Sequence, residues 1–323
     1  GLKTFVGSVE GDEDVYVGET VTYQIAFNTT NYIGSGEDAK KVLSYTITDS
    51  MPDFLDNVTI TEIKIGDESY KVNDEVPNFD ESGTITIPWV DNENGNSLYV
   101  NGAKIVITYT AIVTDSIAID GNGNVNTVTV NWTTEEGTDE DKLTGEETVY
   151  TYAIAIKKVD ENGNNLAGAE FSVAGITVKK ESDGVYVVTG KGAGLKTDVL
   201  ACDSNGELVI KGVDADTYQV TEETAPNGYN KLTDPVSVEA VKTGATTTTT
   251  TKYIDEKGNI VDTVTDVDVT YTNDDLSASA AFVVNMTGTT LPSTGGIGTT
   301  VFYAAGILLM AGAVFFVVRR KRA

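Results

Sequence analysis

Six polar residues fall on strand-like stretches where an apolar side chain is expected. Lys158 shares a face with Ile154 and Ile156, Glu222 with Tyr218 and Val220, and Asn285 with Ala281 and Val283. The first half of the chain repeats the triplet: Lys3 beside Phe5, Asp49 beside Tyr45 and Ile47, and Asn126 beside Val128 and Val130. Residues two apart on a strand point to the same side, so each of the six is aimed into a core. Burying an amine, an acid or an amide is costly unless it finds a partner. The cost is explained if the three meet. Desolvation then favours neutral forms, lowering an amine's pKa and raising an acid's. A neutral amine on Lys158 can attack the side-chain carbonyl carbon of Asn285, with Glu222 hydrogen-bonded to that carbonyl and shuttling protons. Ammonia leaves and an amide remains. Fixed neighbours supply the effective molarity, so no external enzyme is required. A buried salt bridge with an Asn hydrogen bond, and no covalent step, also accounts for the pattern. Asn273, which ends the stretch Val269 to Asn273, is a second candidate for the amide.

Other chemistry is constrained by composition. The 323 residues include no His and one Cys, Cys202, which removes His-based triads, Cys/His metal sites and intrachain disulfides. No cofactor is expected. With 22 Lys and Arg against 49 Asp and Glu the net charge is −27, a repulsive field for nucleic acid. The runs Asp120-x-Asn122-x-Asn124 and Asp160-x-Asn162-x-Asn164 open like calcium loops. Their twelfth positions hold Asn131 and Phe171 in place of Glu, so turn chemistry is the better reading. No third set of convergent titratable groups is visible, and apart from one autocatalytic turnover the chain is not expected to be an enzyme.

The elements that would position the six residues are strands. Val21, Tyr23, Ile25 and Phe27 alternate with polar neighbours, as do Ile105, Ile107 and Tyr109. The Thr246 to Thr251 run reads as one more strand. Turn clusters such as Asn94-Gly95-Asn96, Asn162-Gly163-Asn164 and Ser204-Asn205-Gly206 separate the stretches. The pattern predicts an all-β chain of two tandem immunoglobulin-like β-sandwiches, 1–149 and 150–288, divided where a charged loop (Glu135 to Glu147) gives way to a strand starting at Tyr152. A sorting segment, 289–298, follows. Residues 299–318 are an uncharged span of about 20 residues, the length of one transmembrane helix. The basic tail 319–323 holds the cytoplasmic side, leaving everything before it outside the cell. The chain begins at Gly1 without a secretory leader, and is read as a processed or truncated piece of a longer protein.

Three short motifs carry a resemblance. Lys157-Lys158-Val159-Asp160 followed by Leu166-Ala167-Gly168-Ala169-Glu170-Phe171 resembles the opening of a Cna B-type domain. Tyr218 to Tyr229 resembles the E-box of Gram-positive pilins, with Val220 where the pattern has Leu. Leu291-Pro292-Ser293-Thr294-Gly295 is similar to the sortase sorting signal, ahead of the span and basic tail that such signals require. In the first half, Tyr45 to Asp49 and Gly123 to Val128 resemble the preceding pilin domain more loosely. The chain resembles the LPXTG-anchored major pilins, the backbone fimbrial subunits.

The resemblance implies an intramolecular isopeptide bond in each domain: Lys158 to Asn285 with Glu222, and Lys3 to Asn126 with Asp49 as the proton shuttles. It favours Asn285, just ahead of the sorting signal, over Asn273. A sortase would cut between Thr294 and Gly295 and pass the Thr294 carboxyl to a lysine of the next pilin subunit or to peptidoglycan. The family's accepting lysine lies in a Tyr-Pro-Lys motif, which this sequence lacks. The expected function is a structural subunit of a covalent pilus, on the cell surface and anchored to the wall, held by the membrane until sorted. The alternative expectation is a monomeric wall-anchored adhesin that binds a host matrix protein or glycan.

Overall fold

The computed structural model describes residues 1–6, 13–119, 123–139, 141–243, 246–254, 260–266 and 281–286. Within them the chain is nearly all β, with one short 3-10 turn at Gly36–Asp38. It divides into two compact units, one of residues 1–118 and 122–151 and the other of residues 119–121 and 152–323. The sorting signal, the span 299–318, the basic tail and Asn273 all lie outside the described residues.

The first unit holds β1 (Lys3–Val6), β2 (Thr20–Asn28), β3 (Tyr32–Ile33), β4 (Lys40–Asp49), β5 (Leu55–Ile65), β6 (Glu68–Ser69), β7 (Thr84–Pro88), β8 (Lys104–Val113), β9 (Asn124–Thr134), β10 (Gly137–Thr138) and β11 (Leu143–Val149). One sheet runs β1-β2-β8-β5-β6; the other runs β10-β9-β4-β3, with β11 on β9 and β7 on β4. Strict alternation in β2 and β8 puts Tyr23, Ile25, Ile107 and Tyr109 inward, where each is fully buried. The expected loop Glu135 to Glu147 instead contains β10 and most of β11. β11 is exposed or half-buried at every residue but the last, so no apolar rhythm announces it. It is held by its antiparallel ladder to β9, from Leu143 opposite Val130 to Val149 opposite Asn124.

The second unit holds β12 (Tyr152–Asp160), β13 (Glu170–Ser182), β14 (Val185–Lys196), β15 (Leu200–Ala201), β16 (Glu207–Val213), β17 (Asp216–Thr224), β18 (Val236–Thr243), β19 (Thr246–Ile254), β20 (Ile260–Asp266) and β21 (Ala281–Asn285). Its hydrogen bonding is continuous in the order β20-β19-β18-β17-β13-β14-β16-β12-β21. The two layers share β13, whose first residues pair with β17 and whose later residues pair with β14. The ladder slips between Ala174 and Ile176, around Gly175 at φ +86, a bulge that lets one strand serve both layers. β12 is buried on both faces: Ala153 and Ala155 pack with Ile119 and Val209, while Ile154, Ile156 and Lys158 face the other way. β12 and β21, early and late in the unit, lie side by side in parallel, Lys158 opposite Val283 and Asp160 opposite Asn285.

Candidate functional site: two buried lysine, acid and amide sets

In the second unit, Lys158 and Asn285 are fully buried and Glu222 is 1% exposed. Lys158 and Asn285 project from the neighbouring strands β12 and β21, and Glu222 comes from β17 in the facing layer. The Lys158 amine donates to Asn285 Oδ1, and to the Val283 carbonyl at 2.9 Å. Asn285 Nδ2 donates to Glu222 Oε2 at 3.2 Å and to the Asn230 carbonyl at 2.7 Å. Glu222 Oε2 also accepts from the Leu232 amide at 2.8 Å, while Oε1 has no hydrogen-bond partner and faces Lys158 Nζ at 3.5 Å. The expected bond from Glu222 to the Asn285 carbonyl is therefore replaced: the acid holds the amide nitrogen, because the amine occupies the oxygen.

Local sequence explains the placement. Asp203 caps the turn after β15, accepting from the amides of Asn205 and Glu207 at 2.8 Å each, which turns Gly206 toward β12. The Gly206 carbonyl takes the Lys158 amide at 2.7 Å. Beyond β17, the turn closed by Tyr229 N to Pro226 O at 3.1 Å brings Asn230 and Leu232 back over the set, and the Asn230 amide ties to the Met286 carbonyl at 3.0 Å. The Asp160 run is a turn of the same kind: its Oδ1 accepts from the amides of Asn162 and Asn164 at 2.8 Å each.

In the first unit Lys3, Asp49 and Asn126 are 2%, 1% and 0% exposed. Lys3 comes from one sheet, and Asp49 (β4) and Asn126 (β9) from the other. Lys3 Nζ meets Asp49 Oδ2 at 2.5 Å and the Thr127 carbonyl at 3.5 Å. No hydrogen bond joins Lys3 or Asp49 directly to Asn126 among the described residues. Two groups that sequence reasoning missed complete the set. Tyr109 donates its hydroxyl to Asp49 Oδ2 at 2.8 Å and accepts from Asn126 Nδ2 at 2.8 Å. Ser50 donates to Asn126 Oδ1 at 3.1 Å. Ser50 follows Asp49 in the chain and could have been noticed by that adjacency; Tyr109 reads only as another inward residue of an apolar strand.

Burial pushes both amines down, from an ordinary 10.5 to about 8, against the opposing pull of Asp49 on Lys3 and of Glu222 on Lys158. The rings of Tyr23 and Tyr109 stand 5.4 and 5.5 Å from Lys3 Nζ. Cys202 is buried, and burial raises its thiol to about 12, which leaves it protonated at neutral pH. Each set therefore holds an amine with a depressed pKa, an acid and a primary amide in a dry pocket, the reactants for a side-chain amide exchange.

A prealbumin-like fold domain of the SpaA kind matches residues 152–254, and an LPXTG cell wall anchor motif matches residues 284–323. The trypsin-resistant surface T6 protein of Streptococcus pyogenes is 28% identical over 220 residues, covering 54% of this chain and 38% of that protein. The chain thus spans well under half the length of this curated relative. The pilus 2b backbone protein of group B streptococcus is 25% identical with a TM-score of 0.60, over 91% of this chain and 100% of that one. The full-length major pilin RrgB of Streptococcus pneumoniae shares the fold, at 16% identity and a TM-score of 0.54 over 89% of this chain and 74% of that one. None of the three is named as an enzyme. With its SpaA-type domain, its wall anchor motif and its likeness to solved pilus backbones, the chain is similar to the LPXTG-anchored major pilins of the cell surface.

Proposed function

We propose that the chain is a structural subunit of a sortase-assembled pilus, stiffened by one autocatalytic isopeptide bond in each of two domains, 1–149 and 150–288. The observation that carries this reading is the repetition of a buried lysine, acid and amide set in both units. In the second, Lys158 passes a proton to Glu222, and its freed lone pair attacks Cγ of Asn285. Glu222, already on Nδ2, returns a proton to that nitrogen, and ammonia leaves. Glu222 then takes the surplus proton from the new amide nitrogen. The first unit follows the same course from Lys3 to Asn126 with Asp49. Residues 158 and 285 are 127 positions apart. Closing a loop of that size contributes about 5 kcal/mol in the chain-entropy account of cross-links. An amide also resists reduction, which suits a chain that cannot form a disulfide within itself.

Leu291 to Gly295 serves as the substrate of a sortase. The Thr294 carboxyl is passed to an amine of a neighbouring pilin subunit or of peptidoglycan, and the span and basic tail remain in the membrane. In cells that carry the sortase, the normal protein is expected as a ladder of high-mass species that survives boiling in detergent. Thr294→Ala should leave one uncleaved band that detergent extracts from the membrane fraction. A wild-type protein that gives a single wall-linked band would contradict assembly into a fibre.

A further inference from the structure

The two sets differ in how the acid reaches the amide. Glu222 touches Asn285 Nδ2 directly at 3.2 Å, whereas Asp49, one methylene shorter, makes no bond to Asn126. The Tyr109 hydroxyl fills that gap, 2.8 Å from Asp49 Oδ2 on one side and 2.8 Å from Asn126 Nδ2 on the other. We propose that Tyr109 is a catalytic residue of the Lys3 to Asn126 cross-link, relaying a proton from Asp49 to the departing amide nitrogen. The inference rests on the cross-link reading above.

One carboxylate oxygen serves both ends of the relay. Asp49 Oδ2 accepts from Lys3 Nζ at 2.5 Å and from the Tyr109 hydroxyl. Lys3 gives a proton to this oxygen, and its freed lone pair forms the bond to Asn126 Cγ. Negative charge collects on Asn126 Oδ1, where Ser50 Oγ already donates at 3.1 Å. At that moment the amide nitrogen becomes tetrahedral and gains a lone pair, changing from a donor to the phenol into an acceptor from it. Tyr109 delivers its proton to Nδ2 and is refilled by Asp49. The Cγ–Nδ2 bond breaks, ammonia departs, and the surplus proton on the new amide nitrogen returns to Asp49. The tally is one C–N bond formed, one C–N bond broken and one ammonia released. Burial and the neighbouring Asp49 charge raise the Tyr109 hydroxyl above its ordinary value, so it stays protonated and ready to donate. The ring is fixed for this task, stacked on Tyr23 at 5.4 Å and edge-on to Phe79 at 5.6 Å between centroids.

The test follows the linked Lys3–Asn126 peptide over time after cell-free synthesis of the full chain, with samples quenched in acid, digested and weighed. Tyr109→Phe keeps the ring and removes the oxygen. It should slow this link by about 10²-fold, the scale of one lost proton-transfer group, and leave the Lys158–Asn285 link at its wild-type rate. Adding Asp49→Glu, which lengthens the acid as in the second unit, should restore about tenfold of the loss. Wild-type kinetics in Tyr109→Phe would overturn the relay, as would a double variant no faster than the single one, since packing alone would then explain the loss. A wild-type chain that yields the unlinked peptides would overturn the cross-link reading itself, and the wild-type sample thus separates the two failures.

Discussion

A lysine amine at the centre of a β-sandwich is a poor way to gain stability and a good way to make a nucleophile. Desolvation brings Lys3 and Lys158 to about 8 from 10.5, which lowers the cost of handing a proton to the acid beside each. The reaction needs that handed proton, because it must end on the leaving nitrogen. At neutral pH each lysine still holds the proton that the reaction needs; above about 8 that proton is lost to solvent. Cross-linking is therefore expected to be flat from neutral pH to about 8 and then to fall by about tenfold per pH unit, as measured by linked-peptide yield after short incubations. A rate that climbs through pH 9 would contradict a shared proton. The inward aim of the six polar groups was legible from their period-two neighbours. The role of Tyr109 was not, since a tyrosine on an apolar strand normally means packing, and only the register of β8 against the facing sheet shows its hydroxyl between Asp49 and Asn126.

At the scale of elements, the sets depend on turns as much as on strands. Gly206 sits at φ +75, and a Cβ there would stand 2.7 Å from the carbonyl oxygens of both Lys158 and Leu166. Backbone on two sides cannot yield cheaply. Gly206→Ala is expected to cost about 1–3 kcal/mol from the backbone conformation alone. The cost would be read as a lower denaturant midpoint in a Glu222→Ala background, where no second-unit link hides it. An unchanged midpoint would show that this turn is not what seats β12. Alternation revealed β2 and β8 readily, because each has one wet and one dry face. It did not reveal β11, an edge strand with a single buried residue, nor the double duty of β13, where the bulge at Gly175 carries one strand between layers. Those features are set by hydrogen-bond ladders that leave no apolar rhythm in the sequence.

Across the whole molecule, the proposed cross-links would decide which parts of the chain can carry tension. With the proposed cross-links in place, a bond from β1 to β9 and another from β12 to β21 would shield the loops they close. The stretch between Asn126 and Lys158, which includes β10 and β11, remains in the load path. Pulling the chain by its ends should therefore release no more than roughly 100 Å of slack from this stretch, taking the reach of an extended chain. The variant pair Asp49→Ala and Glu222→Ala should release several hundred Å. An extension of that larger size in the wild type would contradict shielding.

The central claim is that the two buried sets have reacted, and intact-mass spectrometry of the folded chain tests it most directly. Each bond expels one ammonia, so the wild type should weigh about 17 Da less per bond than its sequence, twice over, with Glu222→Ala retaining only the first-unit deficit. A wild-type mass equal to that of the unmodified sequence would contradict the account and leave two buried salt bridges in its place.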